Sequence, residues 1–136
     1  MAVTLDPVVH RISMSPLGRL LGFELVEWAP ERVVLRMPFR DEITTVGDLV
    51  HGGAISALAD TAATAVAWSG VDPASPPQRG TTVTLAVDFM AGARGRDLLA
   101  EGTVARRGKT LCFCNVAVRN SEGELVAQAR AVYKLG

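Results

Sequence analysis

Cysteine and histidine are scarce in this chain, with two of each in 136 residues. Cys112 and Cys114 stand two residues apart in an apolar run. On a strand they share a face with Cα atoms roughly 6.5–7 Å apart, at or past the edge of disulfide geometry. Free buried thiols in a reducing compartment are therefore expected. His10 and His51 lie far apart, and no cysteine or histidine spacing suits a metal, so no metal site is expected. An excess of either charge is also lacking: Lys plus Arg and Asp plus Glu both number 14. That excludes bulk electrostatic attraction to nucleic acid or an anionic membrane. Apart from one alanine-rich segment, no apolar run approaches about 18 residues, and that segment carries an aspartate and several hydroxyls. The N-terminus has no basic region followed by a long apolar stretch, so no signal peptide and a cytoplasmic location are expected. Internal repeats and low-complexity segments are absent.

What is present is apolar mass. Hydrophobic residues make up 49% of a chain whose length suits one domain, residues 1–136, with a single core. Residues 6–21 predict a short helix, interrupted near Ser15-Pro16, with Val8, Val9, Ile12 and Leu20 on its apolar face. Phe23 to Trp28 and Arg32 to Phe39 read as paired strands. Gly53 to Trp68, dominated by alanine, reads as a helix. Residues 70–80, with three prolines, read as a surface loop. Four strands follow, Thr82–Met90, Leu98–Arg106, Leu111–Arg119 and Glu124–Lys134, with glycine-containing turns at Arg107-Gly108-Lys109 and Asn120-Ser121-Glu122-Gly123. The order is ββ-α-ββββ, an α+β class in which one long apolar helix needs a curved antiparallel sheet to cover it. Leu111-Cys112-Phe113-Cys114 and Leu98-Leu99-Ala100 are apolar on both faces, which predicts self-association.

The chemistry concentrates at His51-Gly52-Gly53 and Asp60. Two glycines at a helix start let a ligand approach backbone N–H groups that no helical carbonyl satisfies. Asp60 follows about two turns later, and its helical neighbours Ser56, Ala57, Ala63 and Thr64 include no cation. Facing the interior, such a carboxylate can serve as general base or nucleophile; facing out, it is a solvated residue on a stripe with Ser56 and Thr64. The glycines also have a plainer reading, a tight turn capped by His51 or Asp48. His51 can cap, pack or donate a hydrogen bond; nothing nearby in sequence orients it as a base.

His51-Gly52-Gly53, six intervening residues and Asp60 together resemble the signature of hotdog-fold acyl-CoA thioesterases of the phenylacetic-acid-degradation (PaaI) type. Thr81-Thr82-Val83-Thr84-Leu85-Ala86-Val87-Asp88-Phe89-Met90 resembles that family's strand after the helix. Arg107-Gly108-Lys109-Thr110-Leu111 resembles its basic hairpin, and Leu125-Val126-Ala127-Gln128-Ala129 its last strand. The likeness spans roughly residues 17–136. It implies a hotdog fold, a long helix wrapped by an antiparallel sheet, paired into dimers and then tetramers with active sites between subunits. It implies that the Gly52 amide polarises a thioester carbonyl. Asp60 from the other subunit would activate water or attack directly, and Thr82 would help to place it. Many members carry asparagine six residues before the histidine; here that position is Thr45, whose hydroxyl is shorter and differently directed.

The resemblance implies an acyl-CoA substrate and no cofactor. Coenzyme A brings phosphates, for which Arg106, Arg107 and Lys109 are candidates, with Arg79 and Lys134 as further cations. Likeness at the hairpin favours Arg107 and Lys109. Two other readings stay open: a non-catalytic acyl-CoA or small-ligand binding protein, supported by Thr45, and a dehydratase or hydratase. The latter chemistry needs a histidine with an acidic partner, which His51 lacks in its neighbourhood.

Overall fold

A computed structural model describes residues 7–136. Asp6, expected at the start of the first helix, lies outside the described residues. The break at Ser15-Pro16 divides that helix in two, α1 (Pro7–Ser13) and α2 (Pro16–Leu20). Ser15 caps α2 by accepting from the Gly18 N–H at 3.2 Å, and Pro16 occupies the first turn, where its missing N–H costs nothing. The second helix starts with its own phase, so Gly18 faces inward and Leu20, expected on the apolar face, is 69% exposed.

The long helix, α3, runs Gly52–Ser69, a residue longer at each end than its pattern predicted. Its 18 residues span about 27 Å. Leu58, Ala59, Ala62, Ala63 and Val66 are fully buried. Alanine permits close approach: a Cβ on Gly102 of the sheet would sit 2.8 Å from the Ala62 carbonyl oxygen. Helix backbone and sheet backbone therefore almost touch there, and only glycine fits.

Among the described residues six strands form one antiparallel sheet: β1 (Glu24–Ala29), β2 (Arg32–Met37), β3 (Gly80–Phe89), β4 (Leu98–Arg107), β5 (Leu111–Asn120) and β6 (Leu125–Leu135). Their spatial order is β1-β2-β4-β5-β6-β3. The chain leaves β2, crosses the sheet through α3 and the 70–79 segment, and enters β3 at the far edge, where it pairs with β6. β4, β5 and β6 then fill the middle as successive hairpins. Asn120 fixes the last turn, its Oδ1 accepting from Glu122 N–H and Glu124 N–H at 3.0 Å each.

Alternation is clean on β5: Cys112, Cys114, Val116 and Val118 are buried against α3, while Phe113 and Asn115 face out. On β2 Val33, Leu35 and Met37 are fully buried, and Val34 between them is also buried, so alternation is less clean there; Phe23 closes the core beside α2. Burying each large side chain contributes about 1.5–3 kcal/mol. The two cysteines are free, as expected, with sulfurs 3.7 Å apart. The Cys114 thiol donates to Cys112, which lowers the Cys112 pKa and raises that of Cys114. Leu111 and Phe113 are 37% and 39% exposed on the outer face, so this face is partly apolar as the sequence indicated. No helix among the described residues is long and apolar enough to cross a membrane.

Candidate functional site

His51 precedes the first residue of α3 and caps it: its Nδ1 accepts from the Gly53 N–H at 2.7 Å. That bond puts the ring proton on Nε2. The His51 carbonyl accepts from Ala54 N–H (2.9 Å) and Ile55 N–H (3.2 Å). Of these first helical amides, Gly52 N–H alone has no acceptor among the described residues. The two glycines therefore divide their work. Gly53 lies under the imidazole, where a Cβ would be 2.9 Å from Nδ1. Gly52 leaves one amide free at the positive end of the helix.

Gly52 lines a cavity of about 390 Å³ with Thr45, Val50, Ile55, Phe89 and Met90. The Phe89 ring lies 3.4 Å from the place a Gly52 Cβ would occupy. Thr45 sits in a short bend that returns through Thr45 N–H to Leu49 O (2.8 Å) and an isolated bridge between Thr44 and Val50. Gly47, at φ 58°, turns the bend. Val50 N–H donates to Ala93 O at 2.8 Å, tying this bend to the segment after β3. Gly52 and Thr45 thus share one apolar, partly open space.

Asp60 is elsewhere. Eight residues further along α3, it lies about 12 Å from Gly52. It is half-buried, and Thr82 on β3 donates its Oγ1 proton to Asp60 Oδ1 at 2.8 Å. No cation pairs with Asp60 among the described residues. A reacting carbon must lie within about 3 Å of both an oxyanion donor and a nucleophile or its water. Within one chain, Gly52 and Asp60 are too far apart for that. Gly52 with Thr45 and Asp60 with Thr82 are thus two separate groups within the chain.

Strand β3 connects them. Thr82 near its start meets Asp60, and Phe89 at its end meets Gly52. Among the described residues its outer edge pairs with no strand, and Val83, Phe89 and Met90 are 53%, 53% and 56% exposed. Two copies of an antiparallel edge centred between Leu85 and Ala86 would set Thr82 of one opposite Phe89 of the other. Such pairing would bring the Gly52 group of one copy towards the Asp60 group of the other.

The cationic hairpin is less unified than its sequence suggested. β4 extends to Arg107, whose partner on β5 is the inward-facing Cys112, whereas Arg106 pairs with the outward-facing Phe113. Arg106 and Arg107 thus occupy opposite faces. Arg107 bonds Glu31 through Nε (3.1 Å) and Nη2 (2.8 Å) at the C-terminal end of α3. Lys109 is exposed at the rim of a cavity of about 180 Å³ that it shares with Arg107, Gly70 and Asp72. Among the described residues no three His, Cys, Asp or Glu side chains group to hold a metal. Phe89 and Met90 were not singled out from sequence, because a strand pattern does not say which strand end reaches the helix start.

Residues 47–127 match the family model described as the thioesterase superfamily. Acyl-coenzyme A thioesterase 13 of Homo sapiens is 33% identical over 121 residues, covering 87% of this chain and 84% of that protein. The crystal structure of zebrafish thioesterase superfamily member 2 superimposes with a TM-score of 0.80 at 30% identity, covering 95% of this chain and 94% of that one. The E. coli PaaI protein of the phenylacetic acid degradation operon gives 0.83 at 19% identity, covering 95% and 90%, a likeness of fold.

Proposed function

The chain belongs to the thioesterase superfamily, and from that membership we propose that it hydrolyses acyl-CoA thioesters at a site shared by two subunits. The observation that carries the proposal is the split constellation: a free Gly52 amide and a Thr82-held Asp60, about 12 Å apart on one helix. Paired β3 edges offer the arrangement that joins them. The thioester oxygen then accepts from Gly52 N–H, where the helix end stabilises the charge that develops on tetrahedral addition. Thr45 lies beside this oxygen or its water, in the position where the family's asparagine stands.

Asp60 of the partner subunit takes a proton from water, whose oxygen adds to the carbonyl carbon. The Thr82 proton on Oδ1 leaves Oδ2 as the oxygen that accepts it. Collapse breaks the carbon–sulfur bond, and the proton held by Asp60 passes to the departing thiolate. The products are a carboxylic acid and coenzyme A thiol. The apolar lining around Gly52 suits the acyl arm, and Lys109 is the better candidate for the nucleotide phosphates, since Arg107 is already paired with Glu31.

Incubating the protein and its Asp60→Asn variant with a panel of acyl-CoAs, while following free thiol and alkene separately, tests this reading. Thiol release by the wild type and its loss in a folded Asp60→Asn protein are expected. Full turnover by the variant would remove Asp60 from the mechanism; binding without release would indicate a ligand-binding protein.

A further inference from the structure

We propose that Trp68 and Tyr133 are a positioning pair that holds Thr82 within hydrogen-bonding distance of Asp60. The inference rests on the catalytic reading of Asp60 above. Tyr133 on β6 is the direct cross-strand partner of Thr82 on β3. Directly opposed residues share a sheet face, with Cβ atoms about 4.5–5.5 Å apart. Tyr133 is 5% exposed, so this shared face is the one turned to α3. Trp68, two turns beyond Asp60 on the same helix, donates its Nε1 proton to Tyr133 Oη at 3.0 Å.

The third member is Gly80, the first residue of β3. A Cβ there would be 2.6 Å from both Tyr133 Cε1 and Oη, so the phenol lies across the bare glycine backbone. Helix, β6 and the start of β3 are thereby locked together two residues before Thr82. The lock matters because sheet pairing is weakest at this point. Among the described residues β3 is an edge strand with one neighbour, and its register slips between Thr82 and Thr84. A bulge on a half-paired edge leaves the strand free to shift unless side chains fix it.

The phenol is suited to the task. Burial pushes its pKa up; the bond from Trp68 works against this, and the nearby Asp60 charge adds to it. It therefore stays neutral near pH 7 and accepts the indole proton without bringing a second charge beside Asp60. Trp68 and Tyr133 do not touch the proposed reacting atoms; they act through Thr82.

Tyr133→Phe keeps the ring and removes the oxygen; Trp68→Phe keeps an aromatic side chain and removes the proton. With the acyl-CoA turned over fastest by the wild type, each should lower kcat about three- to tenfold with KM little changed, the worth of one hydrogen bond. In a Thr82→Val background neither change should lower kcat further, because the bond they position is already gone. A purely structural role predicts losses that multiply with that of Thr82→Val. Such multiplication, or wild-type kcat in both single variants, overturns the proposal. Should Tyr133→Phe fail to fold, Trp68→Phe carries the same test with the phenol intact. Asp60→Asn run alongside separates the two readings. If it remains active, the catalytic assignment falls; if it is inactive while Tyr133→Phe and Trp68→Phe match wild type, only the positioning pair falls.

Discussion

Gly52→Pro tests the proposed carbonyl donor, because proline replaces this N–H with a ring methylene. Gly52 is the first residue of α3, where proline's fixed φ is compatible with a helix and no intrahelical bond is lost. His51 before it has φ −62° and ψ 132°, the extended conformation that a residue preceding proline prefers. A Cβ on residue 52 meets only the Phe89 ring at 3.4 Å, an ordinary contact. Stability should therefore hold or rise by about 0.4–1 kcal/mol, through reduced freedom of the unfolded chain. Turnover should not hold. Removing one oxyanion donor costs about 2.7–4 kcal/mol of transition-state stabilisation, a loss of about 100- to 1000-fold in kcat. Gly52→Ala is the matched comparator: it adds the same Cβ and keeps the N–H, so its kcat should stay within about threefold of wild type. The assay is thiol release under saturating substrate, with thermal unfolding of all three proteins in parallel. A folded Gly52→Pro protein with wild-type kcat would show that this amide does not bind the oxyanion. Equal losses in the proline and alanine variants would assign the effect to bulk beside Phe89 instead.

Arg107 and Lys109 should separate in experiment. Lys109→Ala should raise KM for an acyl-CoA, less so at high salt, while leaving the same acyl group on a short thiol unaffected. Arg107→Ala should instead lower stability by about 0.5–1 kcal/mol through loss of the Glu31 pair, seen by denaturant titration. Equal KM effects from both would restore a joint phosphate role. Thr45→Asn, which installs the amide that the resemblance implies at this position, should fold normally and keep or raise kcat. A large fall in turnover would show that the site depends on the shorter hydroxyl.

The elements of this fold follow from local signals. Alanine density marks α3, and the turns at Gly108 and Gly123 mark the hairpins that make β4, β5 and β6 neighbours. The position of β3 was not legible in the same way. Period-two alternation says which face of a strand is buried, not which strand lies beside it. The journey of β3 to the edge beside β6 depends on long-range packing under α3. The site shows the same division. Gly52 and Asp60 stand out by residue type, yet whether Gly53 or Gly52 holds the free amide depends on where the His51 ring turns. Arg106 and Arg107 looked like one cluster because the strand was expected to end at Arg106. One further strand residue puts them on opposite faces. Leu20 is exposed because Pro16 restarts the helix, a change of phase that spacing across the break cannot convey.

The proposal that two subunits share one site is tested most directly by subunit complementation. Asp60→Asn and Gly52→Pro chains, carrying different affinity tags, are co-expressed and the mixed assembly is purified through both tags. Each variant alone should be nearly inactive. In a mixed dimer one of the two sites combines an intact Gly52 with an intact Asp60 from the other chain, so about half the wild-type activity per dimer is expected. A mixed assembly no more active than its inactive parents would contradict a site built from two subunits.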